Sequence, residues 1–350
     1  MRRIQSVVLW STVILLGHLS SLSSSFSCQR LSKRQKLNKV ISFVSTSDEL
    51  SEKSLDEGED QERRNLRFGG VGRLYTTFKN NDDVNNDPHL EVIDRLSKAT
   101  VVVVGLGGVG SWSAEALCRS GVGNLVLIDL DDICISNTNR QLHALSSTVG
   151  RMKIDEMKDR LSQINPQCEV SLIHDFVSEE NVEEILANIP NLTACLDAID
   201  GTSGKAPLIA ACSRLRIPIV TCGGSAGLTD PTKFVCEDLA RVKDDKLLAS
   251  CRRTLRAEHG FEAGIAFRNA EGKRNKLPKK WKINAVYSTE LPKTLPKGMD
   301  MSSFRRCDGA LGTACFVTGT SGFIAAGAIV DMIAKDKLLI PRRFSKRSDS

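Results

Sequence analysis

A chain of 350 residues, 41% hydrophobic, 26% charged and 5% aromatic, is long enough for one large domain or two smaller ones. With 26 Gly, 10 Pro and no sustained heptad run, a collagen-like, coiled-coil or wholly disordered chain is excluded, and eleven cysteines without a C-x-x-C pair argue against a disulfide scaffold or a paired-cysteine structural zinc site. The formal charge of +6 is unevenly placed: residues 1–40 hold seven basic residues and no acid, which leaves −1 for the rest, so whole-chain basicity is no argument for nucleic acid.

Residues 1–44 read as a targeting leader. Met1-Arg2-Arg3 precedes an apolar run from Val7 to Gly17, then a Ser-rich stretch, as in a secretory-type signal. The run is shorter than the roughly 20 residues of a membrane-spanning helix. The basic, hydroxylated segment that follows is free of acids, as organelle transit segments are. Together they resemble the bipartite leader of algae with secondary plastids, with a mitochondrial or membrane-tethering segment as the alternative. Residues 45–64 are acidic and lack a period, which predicts a linker, and an adenylating domain is expected over 65–338.

The folded part announces itself at Ala99–Gly110. Four consecutive valines fit a strand buried on both faces of a parallel sheet. Gly105, Gly107 and Gly110 complete G-x-G-x-x-G, with Gly108 between them. A helix is predicted over Ser111 to Ser120, ended by Gly121, and a strand over Asn124 to Asp129. In this β-α-β unit, turn N–H groups and the helix N-terminus face a phosphate, and Asp129 accepts hydrogen bonds from ribose hydroxyls. The unit by itself does not choose between a dinucleotide and ATP.

The next segment favours ATP. Asn137-Thr-Asn-Arg140-Gln141 and then Lys153 supply polar and cationic groups beyond the glycine turn, where a triphosphate extends. A further buried strand over Thr193 to Asp200 ends in Asp197-x-x-Asp200, with Asp200 placed to hold the Mg²⁺ that accompanies ATP. Singly, each residue has an ordinary alternative: a helix cap for Asp197, a surface ion pair for Arg140.

Gly105 to Gly110, Asp129, Asn137, Arg140-Gln141, Lys153 and Asp200 match the ubiquitin-like-activating superfamily, whose members activate a carboxylate as an acyl-adenylate. The resemblance implies ribose binding by Asp129, phosphate stabilisation by Arg140 and Lys153, Mg²⁺ ligation by Asp200, and phosphate or metal positioning by Asn137. It also implies a homodimer in which an arginine upstream of the first strand reaches the neighbouring subunit's site; Arg73 is the best match and Arg67 the second. Within the superfamily, Arg67-Phe-Gly-Gly-x-x-Arg-Leu-Tyr, Asp131-Asp132, Asn137-Thr-Asn-Arg-Gln-x-His143-Ala-Leu, Ile164-Asn-Pro, Asp197-Ala-Ile-Asp200 and Ala285–Glu290 resemble the tRNA threonylcarbamoyladenosine dehydratase family. Arg306-Cys-Asp and Val317-Thr-Gly-Thr-Ser-Gly-Phe resemble it too. The resemblance covers residues 67 to about 334 and implies tRNA as partner and ATP-dependent cyclisation of the modified base, with no DNA partner.

A Rossmann-like, mostly parallel α/β sheet flanked by helices is therefore expected, with an irregular, basic substrate region over 231–310. Residues 252–306 carry fourteen Lys and Arg against five acids. There Trp281 among lysines is expected as a stacking platform for a tRNA base, or else as a half-buried ring in a solvated loop. Cys307, preceded by Arg305 and Arg306, is a candidate accessory thiol, and a sulfur-relay protein is a conceivable partner. An apolar helix near Ser321 to Lys335 is expected in the core or at a dimer interface, and residues 339–350 as a solvated basic tail. The rival reading is an activator of a ubiquitin-like or sulfur-carrier protein, which the missing C-x-x-C pairs disfavour.

Overall fold

Four valines set the centre of the sheet. The computed structural model describes residues 57–76, 88–263, 265–268, 274–277, 279–293 and 311–344; the leader and Cys307 lie outside them. The strands are β1 (Thr100–Val104), β2 (Asn124–Ile128), β3 (Glu169–Ile173), β4 (Leu192–Asp197), β5 (Ile219–Cys222), β6 (Phe234–Asp238), β7 (Ile265–Arg268), β8 (Arg274–Leu277) and β9 (Asn284–Ser288). The helices are α1 (Glu57–Tyr75), α2 (Pro88–Lys98), α3 (Gly110–Arg119), α4 (Lys153–Ile164), α5 (Val182–Ala187), α6 (Thr202–Leu215), α7 (Lys246–Glu258) and α8 (Cys315–Ala334).

Seven strands form one sheet in the order β3-β2-β1-β4-β5-β9-β6, while β7 and β8 pair separately. All neighbours in the sheet are parallel except β6, which runs antiparallel to β9 at the edge. Every β1 residue is buried, and successive valines serve opposite layers. Val101 and Val103 pack with α2, α3, α4 and α8, whereas Val102 and Val104 pack with α5, α6 and α7. A strand covered on both faces has no use for polar alternation, which explains the unbroken apolar run. The order reverses between β1 and β4, so the loops after these strands diverge and leave a crevice at their carboxyl ends.

Several expectations need correction. The sheet does not stop before 231: β6 and β9 extend it, because Phe234, Ala285 and Val286 are buried residues that complete its two layers. Helix α1 covers 57–64, read from the sequence as linker. Its Glu, Gln, Arg and Leu residues are good helix formers despite the missing apolar stripe, and Gln167 Nε2 donates to the Asp60 carbonyl. Helix α8 begins at Cys315, a turn and a half before the expected start. Gly319 and Gly322 there are contact residues rather than breakers: a Cβ on Gly322 would lie 2.6 Å from the Val109 carbonyl oxygen. That glycine lets α8 close onto α3, where Ser113 Oγ donates to the Gly322 carbonyl. The helix is long and apolar enough to cross a membrane by composition, yet Val317, Ala325, Ile329 and Ile333 are core residues.

Trp281 is fully buried, so it offers no platform for a base. Its indole packs edge-on against Phe261 and Phe344, its Nε1 donates to the Glu262 carbonyl, and the Arg256 guanidinium lies 5.3 Å from the ring centroid. The tail is likewise docked as far as Phe344. Phe344 is buried and stacks on Phe261 at 4.1 Å. Arg342 N–H donates to the Trp281 carbonyl, Ser213 Oγ to the Arg342 carbonyl and Arg216 to the Pro341 carbonyl. One aromatic side chain outweighs the basic character of its neighbours.

Candidate active site

The crevice at the switch point is a cavity of about 780 Å³, lined by the ends of β1, β2, β4 and β5, by the loop preceding α4 and by residues 312–313. Gly105, Gly107 and Gly108 form one wall. Gly110 does not line the cavity; a Cβ there would sit 1.8 Å from the Gly105 carbonyl oxygen, so this glycine closes the turn against the start of α3. Asp129 directly follows β2 with its side chain nearly buried. Its Oδ2 accepts from Leu106 N–H at 2.5 Å and its Oδ1 from Asp131 N–H at 2.8 Å. Each carboxylate oxygen keeps a second lone pair for a ribose hydroxyl.

The polar cluster follows. Asn137 is buried in a short 3₁₀ turn, where its Oδ1 accepts from Cys134 N–H at 3.0 Å. Arg140 lines the cavity and donates to the Ser136 carbonyl at 2.8 Å and Asn139 Oδ1 at 2.9 Å. The Arg140 carbonyl accepts from Trp112 Nε1 and Thr318 Oγ1, which pins this loop to α3 and α8. Gln141 also faces the cavity, and its buried Oε1 has no partner among the described residues. Lys153 stands at the first position of α4, its side chain 7% exposed, with Nζ 2.6 Å from Asp131 Oδ2.

Asp200 is exposed on the loop after β4 and lines the cavity without a recorded protein partner among the described residues. Asp197, three residues earlier, neither faces the ligand space nor caps α6. It is fully buried, and its Oδ2 lies 2.8 Å from the equally buried Lys205 Nζ. That oxygen also accepts from Thr221 Oγ1 at 2.6 Å, while Oδ1 accepts from Ile199 N–H at 3.1 Å. Burial pushes the Lys205 ammonium down, but the Asp197 carboxylate overrides it and holds the pKa above the ordinary lysine value. The sequence reading missed Lys205 and Thr221, since nothing local marks residues eight and twenty-four positions from Asp197 as its partners.

Arg73 lies exposed in the last turn of α1 and does not line its own chain's cavity. Arg67 Nη1 donates to the Ile164 carbonyl at 2.5 Å, at the end of α4. Among the described residues, no group of three or more His, Cys, Asp and Glu side chains converges on a metal position. Asp200 with phosphate oxygens nevertheless suits Mg²⁺, which takes one or two carboxylates and completes its shell with phosphates and water.

Residues 83–339 match the model of the ThiF family. The tRNA threonylcarbamoyladenosine dehydratase of Haemophilus influenzae is 41% identical over 275 residues, covering 77% of this chain and 94% of the relative. The Escherichia coli enzyme of the same name is 38% identical over 285 residues, with 77% and 94% covered. A crystal structure of the E. coli enzyme in complex with ATP aligns with a TM-score of 0.62 at 37% identity, over 78% of this chain and 95% of that one. The chain belongs to the ThiF family and, within it, to the tRNA threonylcarbamoyladenosine dehydratases.

Proposed function

We propose that this protein uses ATP to cyclise threonylcarbamoyladenosine in tRNA, with loss of one water. The observation that carries this reading is the set of Asp129, Arg140, Lys153 and Asp200 around one cavity at the switch point. The free threonine carboxylate is a poor electrophile, because hydroxide is a poor leaving group. One carboxylate oxygen attacks the α-phosphorus of ATP, and pyrophosphate leaves. An internal nitrogen or oxygen of the modified base then attacks the acyl carbon and AMP leaves, taking the carboxylate oxygen that would otherwise appear in water.

In this reading the turn N–H groups and the N-terminus of α3 face the phosphates. Arg140 and Lys153 offset the charge between carboxylate and phosphate, which electrostatically aided transfer requires. The Lys153–Asp131 ion pair holds the ammonium in place before the nucleotide arrives. Asp200 would hold Mg²⁺, whose bound form adds positive charge at the phosphates. Holding the nucleophile against the acyl carbon contributes at best on the order of 7–11 kcal/mol. No covalent intermediate on the protein is needed, so a Cys307→Ser variant retains some activity.

The chain works as a homodimer with Arg73 entering the second copy's site; its place outside its own cavity, beside exposed Leu66 and Leu74 on α1, supports this. Residues 1–44 direct the protein to a plastid, which a fluorescent fusion of that segment tests. The enzymatic reading is tested by incubating purified protein with ATP, Mg²⁺ and modified tRNA. Release of AMP and pyrophosphate together with a nucleoside lighter by one water supports it. ATP-dependent modification of a small protein's C-terminus, with tRNA untouched, would favour the activator reading instead.

A further inference from the structure

His143 sits behind the glycine turn, 3% exposed. Its Nε2 lies 2.9 Å from the carbonyl oxygen of Leu106. A carbonyl can only accept, so Nε2 carries the proton and Nδ1 is the bare nitrogen. That Nδ1 is buried and has no hydrogen-bond partner among the described residues, so this single contact fixes the tautomer. Burial pushes the imidazole below the ordinary histidine range and nearby Lys153 acts in the same sense, outweighing the raising effect of the Leu106 contact, so the ring is neutral at physiological pH.

Leu106 is clamped from both sides, because its own N–H donates to Asp129 Oδ2 at 2.5 Å. In a trans peptide the carbonyl of one residue and the N–H of the next point in opposite directions, and no cis peptide occurs among the described residues. Drawing the Leu106 carbonyl inward to His143 therefore turns the Gly107 N–H outward, to the side that Gly107 and Gly108 present to the cavity. The Gly107 N–H has no partner within the described residues. A flipped peptide would aim a carbonyl oxygen at the same place and repel an anion.

We propose that His143 is a positioning residue for phosphate recognition: its Nε2–H fixes the Leu106–Gly107 peptide so that the Gly107 N–H faces a nucleotide phosphate. Asp129 then serves two groups at once, holding the Leu106 N–H while facing the ribose. The inference rests on the nucleotide site proposed above.

The test compares His143→Phe, a ring of similar size without a donor, with His143→Gln, which keeps one. Affinities of the full-length variants for ATP, AMP and adenosine are measured by calorimetry. Loss of one charge-assisted hydrogen bond predicts roughly tenfold weaker binding of ATP and AMP by His143→Phe. Adenosine affinity stays within about twofold, and His143→Gln recovers most of the phosphate-dependent part. If His143→Phe does not fold, the donorless His143→Met takes its place. Unchanged ATP affinity, a parallel loss for adenosine and ATP, or no recovery by His143→Gln would overturn the proposal. Failure of the wild-type protein to bind ATP would instead overturn the reading of the site.

Discussion

Replacing Lys205 by Met removes one member of an ion pair whose side chains are both fully buried and 2.8 Å apart. Asp197 keeps the Thr221 hydroxyl and the Ile199 N–H but loses its counter-charge in a dry environment. Breaking such a pair from one side costs about 3–5 kcal/mol. For a domain of this size each kcal/mol moves Tm by about 2–4 °C, so Lys205→Met lowers Tm by about 6–20 °C. The Asp197→Asn, Lys205→Met double variant removes the stranded charge while the Asn amide oxygen still accepts from Ile199 N–H. It is therefore more stable than Lys205→Met alone, a non-additivity expected of groups in direct contact. Thermal unfolding followed by circular dichroism measures both. A Lys205→Met loss below about 1 kcal/mol, or a double variant no more stable than the single one, would refute the reasoning.

Trp281→Ala empties the centre of the Phe261–Trp281–Phe344 cluster and lowers stability by about 3–5 kcal/mol, read by denaturant unfolding, while ATP affinity is retained. Deleting residues 340–350 removes Phe344 and the contacts of Pro341 and Arg342 with Arg216, Ser213 and Trp281; hydrogen exchange near Trp281 rises, with little change around Gly107. Burial pushes the Glu115 carboxyl up, but hydrogen bonds from Arg160 and Arg119 outweigh it and hold the pKa below 4.5. Its stabilisation is complete above that value and is lost as pH falls through the lower folded-state pKa. Glu115→Gln therefore flattens the fall in stability on the acid side of pH 4.5, as measured by unfolding at graded pH.

What the sequence made legible was local in the chain. The glycine turn, Asp129 and the start of α4 at Lys153 are each set by neighbours within a few residues: a positive turn, a strand end, a helix N-terminus. Their convergence on one cavity follows from the parallel order of β1, β2 and β4, which the buried valine run already implied. What stayed hidden depends on contacts across long separations. Asp197 could be read as a helix cap because it lies before α6, yet it is the partner of Lys205 and Thr221, which reach it only after α6 folds back beside β5. Trp281 looked exposed because lysines flank it, although Phe344, more than sixty positions later, covers it. The helix expected near Ser321 left out its first turn and a half, where small residues such as Gly319 serve the close approach of α3 and not an apolar stripe. His143 could be quoted as part of a motif, but its orientation toward Leu106 is visible only in three dimensions.

The most direct test of the account is the mass of the tRNA nucleoside after incubation with ATP and Mg²⁺. Wild-type protein is expected to yield a product lighter by one water, with AMP and pyrophosphate released in step, and Lys153→Ala and Asp200→Ala to yield none. Full activity of those two variants, or water loss that proceeds without ATP, would contradict it.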